Sequence, residues 1–257
     1  MTLAGTVGGT GTAVTLVHGF AQNRNCLGPL AEELTRRCRV LRPDAPGHGG
    51  STLHAAADLA TGAGLLAATG GAGVYIGYSM GARLCLRTAL DHPDAVRALV
   101  LIGATPGIED AEERRERQRA DAALAERLER IGLDAFVQEW LALPMFAGLP
   151  SWARFDRERR TNTAAGLAAS LRHAGTGSME PLWDRLDGLD IPVLCVTGSA
   201  DERYATLATQ MVGRIGSTAR HGIVEGAGHA AHLERPDAVI GIVTAFLDEA
   251  ATDLPTG

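Results

Sequence analysis

Short runs of apolar and β-branched positions recur along the chain, separated by longer stretches of helical periodicity. The runs are AVTLVHG, RVLRPDAPG, GVYIGYS, VRALVLIGAT, PVLCVTGSAD and HGIVEGAGH. Strands apolar at nearly every position are buried on both faces, so this alternation predicts an α/β fold, a mostly parallel sheet with helices on both faces. The rhythm breaks between about Gly107 and Leu186, where no run suits a buried strand. There EDAEERRERQRADAALAERLERI reads as a long polar helix with one apolar stripe. The interval is a helical insertion, which divides the chain into a core of residues 1–106 and 187–257 and a cap of residues 107–186. IPVLCVTG then restores the strand pattern, and PDAVIGIVTAFLDEA supplies a closing helix with Pro236 in its first turn. The tail ATDLPTG reads as frayed, and the pattern of GTVGGTGT does not decide whether it adds a strand.

Composition narrows the function. With 257 residues, 46% hydrophobic and 21% charged, the chain is long enough to bury a full sheet and its covering helices as one domain with an insertion. A net charge of -6 leaves no basic field for nucleic acid, and no polybasic run suits an anionic membrane. No apolar run approaches membrane-spanning length, and the N-terminus lacks a signal-peptide pattern, so a cytoplasmic protein, monomeric or a small homo-oligomer, is expected. All 24 basic residues are arginine. Cys26, Cys38, Cys85 and Cys195 form no CxxC pair and read as buried free thiols. The Gly-rich stretches lack the phosphate-loop lysine, and neither a metal nor a cofactor is expected.

The chemistry concentrates in Gly77-Tyr78-Ser79-Met80-Gly81, between the strand GVYIGYS and the helical RLCLRTAL. Glycines flanking a serine at a strand-to-helix junction let the backbone turn sharply and present the hydroxyl. That hydroxyl needs an imidazole to take its proton and an acid to orient the imidazole. Asp201 in GSAD and His229 in GAGH follow later strands in the order serine, acid, histidine, with Glu202 and His232 as their nearest rivals. His18-Gly19-Phe20 ends the first long strand, so the backbone N–H groups of Phe20 and Met80 are the expected oxyanion hole. DAPGHGGS is rich in turn formers and reads as structural.

HGF, DAPGHGGS, GYSMGAR, GSADERY and AGHAAHLERP together resemble the α/β-hydrolase superfamily along nearly the whole chain. A narrower likeness lies in TPGIEDAEERRERQRAD, FVQEWLALPMFAGL, RRTNTAAGLAASLR and GTGSMEPLW, which are similar to the menaquinone-pathway 2-succinyl-6-hydroxy-2,4-cyclohexadiene-1-carboxylate (SHCHC) synthases. That resemblance implies the α/β-hydrolase fold and a lyase that expels pyruvate from 2-succinyl-5-enolpyruvyl-6-hydroxy-3-cyclohexene-1-carboxylate (SEPHCHC). A small substrate with several carboxylates calls for arginines, whose planar guanidinium bonds carboxylates bidentately. The resemblance implies Arg83, Arg117 and Arg160 for that task, with Arg159 a rival to Arg160. It also implies Tyr78, Gln118, Trp140 and Phe146 as pocket residues, though Trp140 and Phe146 also suit a core. Three other readings remain: a carboxylester or C–C bond hydrolase, a lyase or cyclase acting on a related anionic ring in a natural-product pathway, and a non-catalytic ligand receptor.

Overall fold

A computed structural model describes residues 1–253. Its sheet has seven strands, β1 (Gly5–Gly8), β2 (Ala13–Val17), β3 (Arg39–Pro43), β4 (Gly73–Tyr78), β5 (Val96–Ile102), β6 (Val193–Gly198) and β7 (Ala219–Val224). They lie in the order β1-β3-β2-β4-β5-β6-β7. All neighbours are parallel except β1 and β3, which run antiparallel with Gly5 opposite Pro43. Six strands coincide with the six apolar runs. GTVG is the additional edge strand, mostly exposed and therefore without a burial pattern to betray it.

Helices α1 (Gly28–Arg37), α2 (Leu59–Gly70) and α3 (Met80–Asp91) precede β5. Between β5 and β6 lie α4 (Ala111–Ile131), α5 (Leu133–Leu141), α6 (Asp156–Arg159) and α7 (Ala164–Ala174). After β6 come α8 (Glu202–Ile215), α9 (Ala231–Glu234) and α10 (Pro236–Asp253); the rest of the expected frayed tail lies outside the described residues. Successive strand residues point to opposite faces, and the core divides accordingly. Leu99, Leu101 and Cys195 pack with α2, α3 and α8, whereas Val100, Ile102 and Val196 pack with α1, α9 and α10. Each fully buried Leu, Ile or Val contributes about 1.5–3 kcal/mol, so the central strand β5, buried from Ala98 to Ile102, anchors both layers.

The long polar stretch folds as α4. Asp110 caps it by accepting from the N–H groups of Glu112 and Glu113 at 3.0 and 2.8 Å, and Gly132, at φ 80°, ends it. Its narrow apolar stripe, Ala125 and Leu128, packs on Leu167, Ala168 and Leu171 of α7 together with Phe136 of α5. Gly177 lies against α4 so closely that a Cβ there would stand 2.2 Å from the Gln118 nitrogen. The end of the interval turns back to the sheet: Leu182, Trp183 and Leu186 join the layer of α3 and α8. The four cysteines are buried and free. None of the described helices is long and apolar enough to cross a membrane.

Candidate active site

β4 delivers Ser79 at its C-terminal end with φ 51° and ψ -108°, a conformation that an L-residue holds only when its surroundings enforce it. The flanking glycines are steric necessities. A Cβ on Gly77 would stand 2.4 Å from the Gly81 carbonyl oxygen, and one on Gly81 would stand 2.5 Å from the carbonyl oxygens of Val17 and His18. The Ser79 N–H donates to the Ile102 carbonyl at 2.8 Å, which ties the turn to β5.

The Ser79 hydroxyl donates to His229 Nε2 at 3.0 Å, and His229 Nδ1–H donates to Asp201 Oδ2 at 2.7 Å. The carboxylate can only accept, so it assigns the proton to Nδ1 and leaves Nε2 free to take the serine's. The two rivals fall away. Glu202 is exposed, and His232 is buried beneath Tyr78, its ring centroid 4.3 Å from the phenol ring, with neither nitrogen bonded. Burial pushes the His232 imidazole down to about 3, with the neighbouring His229 adding to the effect, which keeps it neutral.

Phe20 and Met80 both border the cavity in front of Ser79. Met80 is the first residue of α3, where an N–H has no partner within the helix. The Phe20 N–H donates to no group among the described residues. Its loop is fixed by His18, whose Nδ1–H donates to the Gly19 carbonyl at 2.8 Å while Nε2 accepts the Ala45 N–H at 3.0 Å. Burial holds His18 down at about 4, so this neutral arrangement persists. The DAPGHGGS turn has the same structural role: Asp44 accepts from the N–H groups of Arg24 and Gly50 at 2.9 and 2.7 Å.

The cavity has a volume of about 530 Å³ and lies between the C-terminal ends of β2, β4, β5 and β6 and helices α4, α5 and α7. Arg83 is 7% exposed, one helical turn beyond Ser79. Its guanidinium donates to the Ala174 carbonyl at 2.8 Å and contacts Met179 Sδ at 3.6 Å, and no carboxylate among the described residues bonds it. Burial therefore lowers it to about 10. Arg117 also lines the cavity, its Nε–H donating to Asp121 at 2.8 Å, and Asp121 in turn accepts the Gly177 N–H at 3.2 Å. Trp140 lines the wall, its ring 5.1 Å from that of Phe20 and its indole N–H without a hydrogen-bond partner among the described residues. Tyr78 and Phe146 border a small recess shared with Ser79 and His229. Burial pushes the Tyr78 phenol well above its usual range.

Two expected pocket residues are placed elsewhere. Arg160 points away and pairs with Asp134 at 3.1 Å, its side chain 43% exposed. Arg159 is buried instead, bordering the recess beside Ser79 and His229. On a one-turn helix such as α6, successive side chains diverge by about 100°, so only one of two adjacent arginines can face inward. Arg159 also donates to the carbonyls of Arg154 and Ala21 at 2.7 and 3.1 Å, and Ala21 follows Phe20 in the loop after β2 and carries a positive φ of 56°. Gln118 is exposed and does not line the cavity; its backbone supplies the surface on which Gly177 rests. Sequence reasoning missed Arg203 and Tyr204, which line the cavity just after Asp201, with the Tyr204 ring 4.4 Å from His229. Their only signal was a place in GSADERY, at the first turn of a helix following the acid.

Residues 16–242 match the model of the Alpha/beta hydrolase family. A putative 2-succinyl-6-hydroxy-2,4-cyclohexadiene-1-carboxylate synthase of Bacillus subtilis (strain 168) is 36% identical, the match covering 91% of this chain and 90% of that protein. The 2-succinyl-6-hydroxy-2,4-cyclohexadiene-1-carboxylate synthase of Klebsiella pneumoniae subsp. pneumoniae is 31% identical over 91% of this chain and 93% of its own. The solved structure of MenH from S. aureus superposes with a TM-score of 0.86 at 26% identity, covering 98% of this chain and 100% of that one.

Proposed function

The chain belongs to the alpha/beta hydrolase family, and from that premise we propose that it is a lyase of menaquinone biosynthesis, eliminating pyruvate from SEPHCHC to give SHCHC. One observation carries the reading: a buried guanidinium, Arg83, with no carboxylate among the described residues bonded to it, borders the same cavity as Ser79. A buried charge without a counter-ion is costly, and an anionic ligand offsets that cost. A small molecule bearing several carboxylates suits Arg83, Arg117 and Arg203 at the cavity wall, with Arg159 beside the serine. The helices of the interval 107–186 act as a cap over it.

In this mechanism His229 takes the Ser79 proton, and the serine oxygen removes a ring proton from the substrate. The electron pair left on the ring carbon becomes the new ring double bond as the bond from the ring to the enolpyruvyl oxygen breaks, and the departing enolate takes the proton held by His229 at its methylene carbon to become pyruvate, which returns the imidazole to its neutral form. Asp201 holds the imidazole and stabilises it when charged. Proton removal beside a carbonyl builds negative charge on oxygen, which the N–H groups of Phe20 and Met80 stabilise without reorganising. No acyl-enzyme forms, and neither a metal nor a cofactor takes part.

The test supplies SEPHCHC and follows pyruvate release by the natural protein and by Ser79→Ala. Release that depends on Ser79 supports the proposal. Unchanged release in the variant sinks the assignment of the serine, and hydrolysis of simple aryl esters without pyruvate release replaces the lyase with a hydrolase. Tight binding of an anionic ring without turnover would mark a receptor.

A further inference from the structure

The loop that carries the catalytic histidine is held by a carboxylate outside the triad. Glu234, at the end of α9, is 7% exposed. Its Oε2 accepts the Gly228 N–H at 2.7 Å, and its Oε1 accepts the Ala230 N–H at 3.1 Å. These donors belong to the residues on either side of His229. Among the described residues no cation pairs with this carboxylate, so the two backbone N–H groups are what offset its burial.

The loop has little other freedom. The Ala200 N–H donates to the Ala227 carbonyl at 2.9 Å, and a Cβ on Gly198 would stand 2.0 Å from that oxygen, so the turn leading to Asp201 packs on the same peptide. The carboxylate is boxed in from the cap side as well, where a Cβ on Gly148 would stand 2.4 Å from its Oε2. The Gly228 N–H belongs to the Ala227–Gly228 peptide and the Ala230 N–H to the His229–Ala230 peptide, so one carboxylate pins the short segment that carries His229 at both of its ends. Pinning those ends restricts the direction of the His229 Cα–Cβ bond, and with it the reach of the imidazole between Asp201 and Ser79.

We propose that Glu234 is a positioning residue for His229, setting the imidazole in line with Asp201 and Ser79 through the backbone N–H groups of Gly228 and Ala230. The inference concerns the triad itself and holds whichever reaction the triad serves.

The test uses the full chain and two readouts. The first is the downfield proton resonance of the His229 Nδ1–H to Asp201 bond, assigned by its loss in Asp201→Asn. The second is steady-state pyruvate release. Glu234→Gln replaces one acceptor oxygen with an amide NH₂ that cannot accept. The expected result is a shifted or broadened resonance and a kcat about ten- to a hundredfold lower, with KM within about twofold because the cavity arginines are untouched. Glu234→Asp keeps the charge but, one methylene shorter, reaches only one of the two N–H groups, so a smaller change in the same direction is expected, and it serves if the Gln variant does not fold. An unchanged resonance in either folded variant overturns the proposal, as does a parallel change in KM and kcat with the resonance intact. If the natural protein releases no pyruvate, the proposed reaction fails while the resonance still decides the role of Glu234.

Discussion

Arg83→Met separates binding from stability because the two are expected to move in opposite directions. Burial lowers the Arg83 guanidinium from its ordinary range to about 10, and one pKa unit corresponds to about 1.4 kcal/mol, so holding this charge inside the protein costs roughly 3 kcal/mol. The sign is that of a base with a depressed pKa: the penalty is complete below about pH 10 and vanishes only above the ordinary guanidinium range, so neutral pH sees all of it. Methionine fills much the same volume without charge and leaves the Ala174 carbonyl without its donor, a loss of about 1 kcal/mol. The net expectation is a gain of roughly 2 kcal/mol, or a few degrees in melting temperature for a protein of this size. Activity goes the other way. Losing one charge-assisted hydrogen bond to the substrate costs about 1.5–3 kcal/mol, which lowers kcat/KM for pyruvate release roughly 10- to 150-fold. Melting curves and steady-state kinetics on the same preparations provide the comparison. A variant that melts several degrees lower would make Arg83 a structural residue, and one with normal kinetics would remove it from the site.

Two more outcomes follow from the geometry. Arg159→Met is expected to lower kcat/KM at least about tenfold, since it removes both a guanidinium beside Ser79 and the donor to Ala21 in the loop after β2, whereas Arg160→Met, breaking an exposed pair with Asp134, should change kinetics less than twofold and stability by under about 1 kcal/mol; equal effects on pyruvate release would contradict the placement of the two side chains. Burial lowers His18 to about 4 and His48 and His232 to about 3 from 6.5, so the folded state favours neutral rings and its stability is complete above pH 6.5. Between pH 6.5 and 4 the unfolded chain binds protons that the folded chain refuses, and urea-unfolding free energies should fall by on the order of 1 kcal/mol per pH unit for each ring; a flat profile across that range would refute it.

The sequence by itself determined the α/β architecture, because apolar strands and amphipathic helices are local periodicities that survive in one dimension. It also determined the sharp turn at Ser79, since only glycine fits at positions 77 and 81, where a Cβ would stand 2.4–2.5 Å from carbonyl oxygens, and that demand is written as a motif. The order of Asp201 and His229 after it was equally readable, each at the end of a recognisable apolar run.

Tertiary structure decided what depends on side-chain direction across long separations. GTVG became a strand only because β3 offered it an edge. Which of Arg159 and Arg160 faces inward was set by how a one-turn helix docks on the loop near Ala21, about 140 residues away, and no periodicity runs long enough to encode it. Gln118 lost its expected role because Gly177 packs on its backbone while its side chain faces out. Arg203, Tyr204 and Glu234 acquire meaning only when the ends of β6 and β7 and the helices between β5 and β6 converge, since burial, unlike residue identity, is a property of neighbours brought together by the fold.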